Sequence, residues 1–342
     1  ISKTARWSTA TQSNLAGEID GVGGVLQDHP MPLMNRRTFL KNSALSTTAV
    51  MASQAAKAPV ACGLGISTYG LQSMDLESAI KLMAETGYDC VEITAFEGFT
   101  GDPLLVSKER RAGIQKLLVD QKLRLCALMA DLHPNADDAV HAKQKDSLKR
   151  MAELGHDVAP EQPLLIQTVL AGKDWETSKM LFRDRLADWV KVAEEMKFTL
   201  VIKPHRMQAM SRPEDAIWLF KQLGEPRQLR MIYDYSHFHH REPVMTIADT
   251  VAQSLPWTVY VASKDVVMKD DKAVFALTGE GGEFDHAEII KAFVAGGYTG
   301  DFCCEVSSQI WKAKGYDAVA ATKTCYKNLA AAFQRAGVVQ RR

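Results

Sequence analysis

The sequence predicts one closed barrel of eight β/α units, the (β/α)8 or TIM-barrel class, running from about Pro59 to the C-terminus. First, short β-like apolar runs alternate with longer amphipathic stretches eight times over; the alternation argues for a parallel sheet, and eight units argue for closure. Second, Thr86-Gly87-Tyr88, Gly224-Glu225-Pro226 and Gly296-Gly297-Tyr298 supply glycine where helices must end. Third, no Gly-x-Gly-x-x-Gly follows the first strand. That absence weighs against the competing fold, an open doubly wound sheet.

Taken in order, residues 62–69 read as the first strand, 76–86 as the first helix and 89–94 as the second strand. Residues 108–121 and 123–129 give the next helix and strand, and 140–154 are helical by the spacing of their apolar positions. The fourth strand is 163–170, followed by a long amphipathic helix over 178–196. Strand five is 198–203 with helix 212–223, strand six 228–234 with helix 244–255, and strand seven 257–263 with helix 285–295. Strand eight is 301–306, and a helix over 316–336 closes the chain.

Lys+Arg and Asp+Glu both number 41, so the formal charge is zero and bulk charge points to neither nucleic acid nor a membrane surface. The balance suits a small, neutral or weakly charged substrate. The six cysteines, Cys62, Cys90, Cys126, Cys303, Cys304 and Cys325, contain no Cys-x-x-Cys pair, and several lie in apolar strand-like runs. They read as buried core thiols, with Cys303 and Cys304 on opposite faces of one strand.

Met34-Asn35-Arg36-Arg37-Thr38-Phe39-Leu40-Lys41 has the twin-arginine export pattern, followed by a weakly apolar run and small residues near Ala55 and Ala58. Residues 34–58 are therefore expected to be a signal peptide and the mature protein to be periplasmic, exported folded. The run is too short and polar to insert in a bilayer as a mature helix. Residues 1–33 are polar and glycine-rich; they are expected to be disordered, or to precede the true start at Met34. Residues 59–342 form the catalytic domain.

In a barrel the reactive groups sit at the C-terminal strand ends. Strand two ends Val91-Glu92-Ile93, and strand three runs into Asp131-Leu132-His133. Strand five ends Lys203-Pro204-His205-Arg206, and strand six Asp234-Tyr235-Ser236-His237, with His239 and His240 beyond. Strand seven ends Ser263-Lys264-Asp265 and strand eight Cys304-Glu305. His239 and His240 read as solvated loop residues and Lys264-Asp265 as a surface ion pair of little worth. Asp234 and Glu305 each terminate an apolar strand, where an unpartnered carboxylate is costly.

The order Asp-x-x-His after strand six, Lys-Asp after strand seven, Gly279-Glu280-Gly281 and a Glu after strand eight resembles the sugar phosphate isomerase/epimerase family of the xylose-isomerase-like superfamily. The likeness spans about Cys62 to Phe333. It implies one divalent metal, Mn, Mg, Co or Zn, held by Glu, Asp, His and Glu on strands five to eight. Asp234 and Glu305 match two of these ligands and His237 a substrate contact, while His205 matches a position that supports ligands or substrate. Lys203 stands where the strand-five Glu belongs, and the strand-seven His falls on Tyr260 or Ala262. Two readings follow. In one, the Lys203 ammonium replaces the metal between Asp234 and Glu305, a set with formal charge minus one. In the other, Asp234, Glu305, a histidine and water keep a weakened metal site.

The expected activity is isomerisation or epimerisation of a small carbohydrate by proton removal next to a carbonyl. Glu305 is the base, Lys203 or a metal stabilises the enediolate, and Asp234 completes the set. His237, His205, Arg206, Glu92 and Lys264 hold substrate, with Trp175, Trp257 or Trp311 offering an aromatic face. The alternatives are elimination or hydrolysis on keto-sugars, a Schiff base on Lys203, or sugar binding without catalysis. No phosphate-cradling glycine loop stands out, so the substrate is expected to be unphosphorylated. Family members often pair, which makes a homodimer the expected assembly.

Overall fold

A computed structural model describes residues 59–341; the export signal and the segment before it lie outside the described residues. The predicted elements are present in the predicted order. They are β1 (Ala61–Ser67), α1 (Leu76–Thr86), β2 (Cys90–Thr94), α2 (Lys108–Asp120), β3 (Arg124–Met129), α3 (Asp138–Val158), β4 (Leu164–Val169) and α4 (Trp175–Glu195). Then come β5 (Phe198–Lys203), α5 (Pro213–Gln222), β6 (Leu229–Tyr233), α6 (Ile247–Ser254) and β7 (Thr258–Ser263). Sequential parallel pairing runs from β1 to β7. The barrel closes through β10 (Asp301–Cys304), which pairs with both β7 and β1.

Capping residues explain where the helix boundaries move. Asp137 accepts from the amides of Ala139 and Val140, starting α3 earlier than its apolar spacing suggests. Asp174 does the same for Thr177 and moves α4 back to Trp175. The first strand stops at Ser67, whose hydroxyl accepts from the amide of Tyr69 and turns the chain into a short 3-10 helix.

Four further elements were not predicted. Between β7 and α7 (His286–Ala295) stands an antiparallel hairpin, β8 (Asp265–Lys269) and β9 (Lys272–Ala276). Its turn residues Asp270 and Asp271 have φ of 49° and 59°. Positive φ at both central residues marks a type I′ turn, which aspartate tolerates. A one-turn helix, α8 (Ser308–Trp311), precedes α9 (Ala318–Ala336), and β11 (Val339–Gln340) adds to the outer edge of β1.

Inside the barrel two kinds of layer lie below the mouth. The floor is ionic: Arg124 bridges Asp301 at 2.7 Å and Asp89 at 3.2 Å, and Arg341 reaches Asp301 at 3.3 Å. Above it Cys90, Cys126, Val201, Ile232, Tyr260, Ala262 and Cys303 fill the interior. All six cysteines are buried and unpaired, and Cys303 faces the interior while Cys304 packs outward, as their adjacency in a strand requires. Gly63 makes room for the floor, because a Cβ there would lie 1.9 Å from Asp301 Oδ1 and 2.5 Å from Arg124 Nη2. Gly63→Ala is therefore expected to destabilise by about 1–3 kcal/mol, read from urea unfolding; an unchanged midpoint would show that the floor yields freely.

Candidate active site

A strand alternates its faces, so each inward residue at the mouth sits two positions after an inward residue of the interior layer. The pairs are Cys90 and Glu92, Leu165 and Gln167, Val201 and Lys203, Ile232 and Asp234, Ala262 and Lys264, and Cys303 and Glu305. Six strands thus deliver four charged and two further polar groups to one level. All six are buried, and buried charge is tolerated only when paired.

The pairing is tight. Lys203 Nζ donates to Glu305 Oε2 at 2.5 Å and lies 3.9 Å from Asp234 Oδ2. Lys264 Nζ donates to Asp234 Oδ2 at 2.5 Å and to Glu305 Oε1 at 2.9 Å. Asp234 also accepts from the hydroxyl of Ser236 at 2.6 Å. His237 Nε2 lies between the two charges, 3.2 Å from Lys264 Nζ and 3.4 Å from Asp234 Oδ2.

The electrostatics follow the geometry. Burial alone would raise the carboxyl of Glu305, but the two lysines outweigh it and hold the group at about 2. Burial is likewise overcome at Asp234, which Lys264, His237 and Lys203 hold well below the usual carboxylate range. Burial favours neutral Lys203, yet Glu305 and Asp234 raise it above its ordinary value. His237 is lowered to about 4 by burial and by Lys264, and His205 is lowered further, first by burial.

Glu92 is the exception. Its strongest influence is burial, reinforced by Glu305 and only partly offset by Ser67, Lys203 and Tyr260, and its carboxyl rises from 4.5 to about 7. Its Oε2 accepts from Gln167 at 3.3 Å. Below pH 4.5 the folded and unfolded chains both hold this proton. Between 4.5 and about 7 only the folded chain does, so this group makes stability fall as pH rises through that window. Glu92→Gln should flatten that part of the profile. Urea midpoints at pH 5 and pH 8 that differ as much in the variant as in the parent would contradict it.

Lys203, Lys264, Glu305 and His205 line a cavity of about 130 Å³ at the mouth. Tyr69, Phe96 and Phe275 give it apolar walls; Phe275 comes from the hairpin, with its ring 5.2 Å from Lys264 Nζ. Trp311 stands behind this wall, edge-on to Tyr69 at 5.5 Å, whereas Trp175 and Trp257 pack on Trp218 and Phe220. Asp234 and His237 are fully buried and do not border the cavity, and His237 lies against His205 with ring centroids 3.9 Å apart. Glu92 does not border it either. Arg206 turns away, its Nη2 donating to the carbonyl of His239 at 2.7 Å, so it braces a loop.

Lys264, expected to hold substrate, does line the cavity, and its alternative as a surface group falls: it is as enclosed as Lys203, and with it the four charges cancel to zero rather than minus one. Asp265, expected as its exposed partner, instead accepts from the amides of Gly279 and Gly281 and from His286 Nε2 at 2.5 Å. It anchors the Gly-Glu-Gly turn. The signal for Lys264 is the strand period of two counted on from Tyr260 and Ala262.

A divalent ion between Asp234 and Glu305 does not fit these residues. The two ammoniums already occupy the inner faces of both carboxylates, they have no lone pair to offer, and they would repel a dication. His237 Nε2, the nearest imidazole nitrogen, is turned to Lys264.

The family model described as "Xylose isomerase-like TIM barrel" matches residues 80–326. No curated protein matches. Among solved structures, a protein named IOLI with a binding zinc atom superposes with a TM-score of 0.65 at 16% identity, over 80% of this chain and 98% of that one. The D-psicose 3-epimerase of Clostridium cellulolyticum H10, solved with D-tagatose, gives 0.62 at 16% identity, over 80% of this chain and 99% of that one. A fusion of a xylose isomerase-like TIM barrel with 4-hydroxyphenylpyruvate dioxygenase gives 0.62 at 17% identity, and there this chain spans 81% of its own length but 43% of the fusion. With the barrel closed and most of its length matched by one family model, the chain belongs to the xylose isomerase-like TIM barrel family.

Proposed function

We propose that this protein is a metal-independent enzyme of the sugar isomerase/epimerase type, acting on a small unphosphorylated carbohydrate by removing a proton next to its carbonyl. The observation that carries the reading is the convergence of two ammoniums, Lys203 and Lys264, with Glu305 at one cavity. A carbonyl oxygen entering between the lysines accepts hydrogen bonds that they otherwise give to Glu305. The exchange does two things. It presents two fixed positive groups to the oxygen where enolate charge develops, and it frees Glu305 from the contacts that hold its carboxyl near 2, raising its basicity towards what proton abstraction needs.

The resting state speaks against a Schiff base. A lysine must be neutral to attack a carbonyl, and Lys203 is held as an ammonium by Glu305 and Asp234. His205 and the aromatic walls supply substrate contacts, and Asp234 positions Lys264. The twin-arginine pattern assigns this activity to the periplasm as part of the same proposal. No described helix is long and apolar enough to cross a membrane.

The test is solvent exchange. A panel of ketoses and keto-glycosides is incubated with the protein in D₂O and read by mass spectrometry and NMR. One deuterium at the carbon beside the carbonyl, with the carbon skeleton and substituents intact, is the expected result. Loss of a leaving group would transfer the reading to elimination. Binding without exchange across the panel would leave a carbohydrate-binding barrel and overturn the enzyme reading.

A further inference from the structure

Beyond the turn that carries His237, the chain places His239 and His240 side by side, ring centroids 3.9 Å apart. Neighbouring residues in an extended chain point to opposite faces. Here His240 has φ of 56°, a left-handed conformation that is strained for a non-glycine residue, and both rings reach the same carboxylate. That carboxylate is Glu283, from the loop between β9 and α7. Its Oε2 is bonded to His240 Nε2 and lies 3.5 Å from His239 Nε2.

His239 Nε2 is buried and makes no well-formed hydrogen bond among the described residues, its contact with Glu283 being 3.5 Å long. A buried ring nitrogen left in this state carries a desolvation penalty, which a cation at its lone pair would remove. The two imidazole nitrogens and the carboxylate oxygen all lie within 4.8 Å of one another. Tetrahedral zinc with bonds of about 2.0–2.2 Å holds its ligands roughly 3.3–3.5 Å apart, so closing the triad round an ion needs only small side-chain movements. The backbone is already braced: Arg206 holds the carbonyl of His239, and Phe284 packs its ring edge-on at 5.2 Å.

We propose that His239, His240 and Glu283 bind a divalent transition metal of the zinc class, with the fourth position left to water. Two imidazoles and one carboxylate suit zinc, nickel or copper rather than magnesium or calcium, which take oxygen. The site shares no residue with the lysine cluster, and the nearby Arg206 guanidinium is turned to the carbonyl of His239. A bound ion would tie the β6–α6 loop to the loop after the hairpin that supplies Phe275.

The experiment uses the full chain, stripped with a chelator and titrated with Zn²⁺ and with Mg²⁺ by calorimetry. The parent should bind Zn²⁺ at this site without competition from Mg²⁺. Glu283→Gln and His240→Gln should each lose that equivalent or weaken it at least tenfold, while Glu305→Gln retains it. Because Glu283 is partly exposed, Glu283→Gln keeps the fold, as thermal melting without metal will verify. Absence of zinc uptake by the parent, undiminished uptake by Glu283→Gln, or loss confined to Glu305→Gln would each overturn the assignment.

Discussion

Lys264→Met is expected to lower the unfolding free energy by about 3–5 kcal/mol, the usual consequence of removing one member of a buried ion pair. The side chain is 2% exposed and donates to Asp234 and Glu305. Methionine fills much the same volume, so little of the loss comes from a cavity. What remains is Asp234, wholly buried, with its nearest cation 3.9 Å away at Lys203. Adding Asp234→Asn should restore part of the loss, and the double-mutant cycle measures the coupling. Additive losses would mean that the pair is not coupled as the geometry requires. The acid limit follows from the same charges. Glu305 titrates from an ordinary 4.5 down to about 2 in the fold; its contribution is complete above 4.5 and lost as pH falls through about 2.

Lys203→Met is expected to cut the rate of deuterium incorporation by about 10²–10³-fold, the effect of removing one donor from a preorganised oxyanion site. The rate alone does not separate electrostatics from scaffolding, but the pH profile does. With Lys203 gone, burial of Glu305 is opposed by Lys264 alone, so its carboxyl must rise. The acid limb of the rate profile should therefore move to higher pH in folded variant protein. A rate loss with an unmoved limb would make Lys203 a packing residue and remove it from the proposed chemistry.

The barrel was legible because each of its strands is a short apolar run with a helix-length partner. Asp234 and Glu305 were legible because a carboxylate ending an apolar strand must find company, and Lys203 because it stands where the resemblance puts a glutamate. Lys264 was harder, since Lys-Asp after a strand looks like an exposed ion pair, and only inward alternation separates the two cases. The hairpin over 265–276 escaped because positive φ at two consecutive aspartates leaves no glycine to signal it. Tyr69, Phe96 and Phe275 became a wall only once a short helix, a loop and that hairpin met at the mouth, which no local pattern encodes. His239 and His240 were read as solvated because Glu283, more than forty residues later, is invisible from their own surroundings.

The Arg124–Asp89–Asp301–Arg341 ion pairs lie across the end of the barrel opposite the mouth. Salt links, thiols and the Tyr260 ring stand in series beneath Glu305. On the proposed mechanism, a hydron taken from substrate by Glu305 would leave through the mouth by which the substrate came. While that passage is filled, return of the same hydron competes with washout. Isotope retention measured against temperature or viscosity would then report how tightly the occupied vessel is corked.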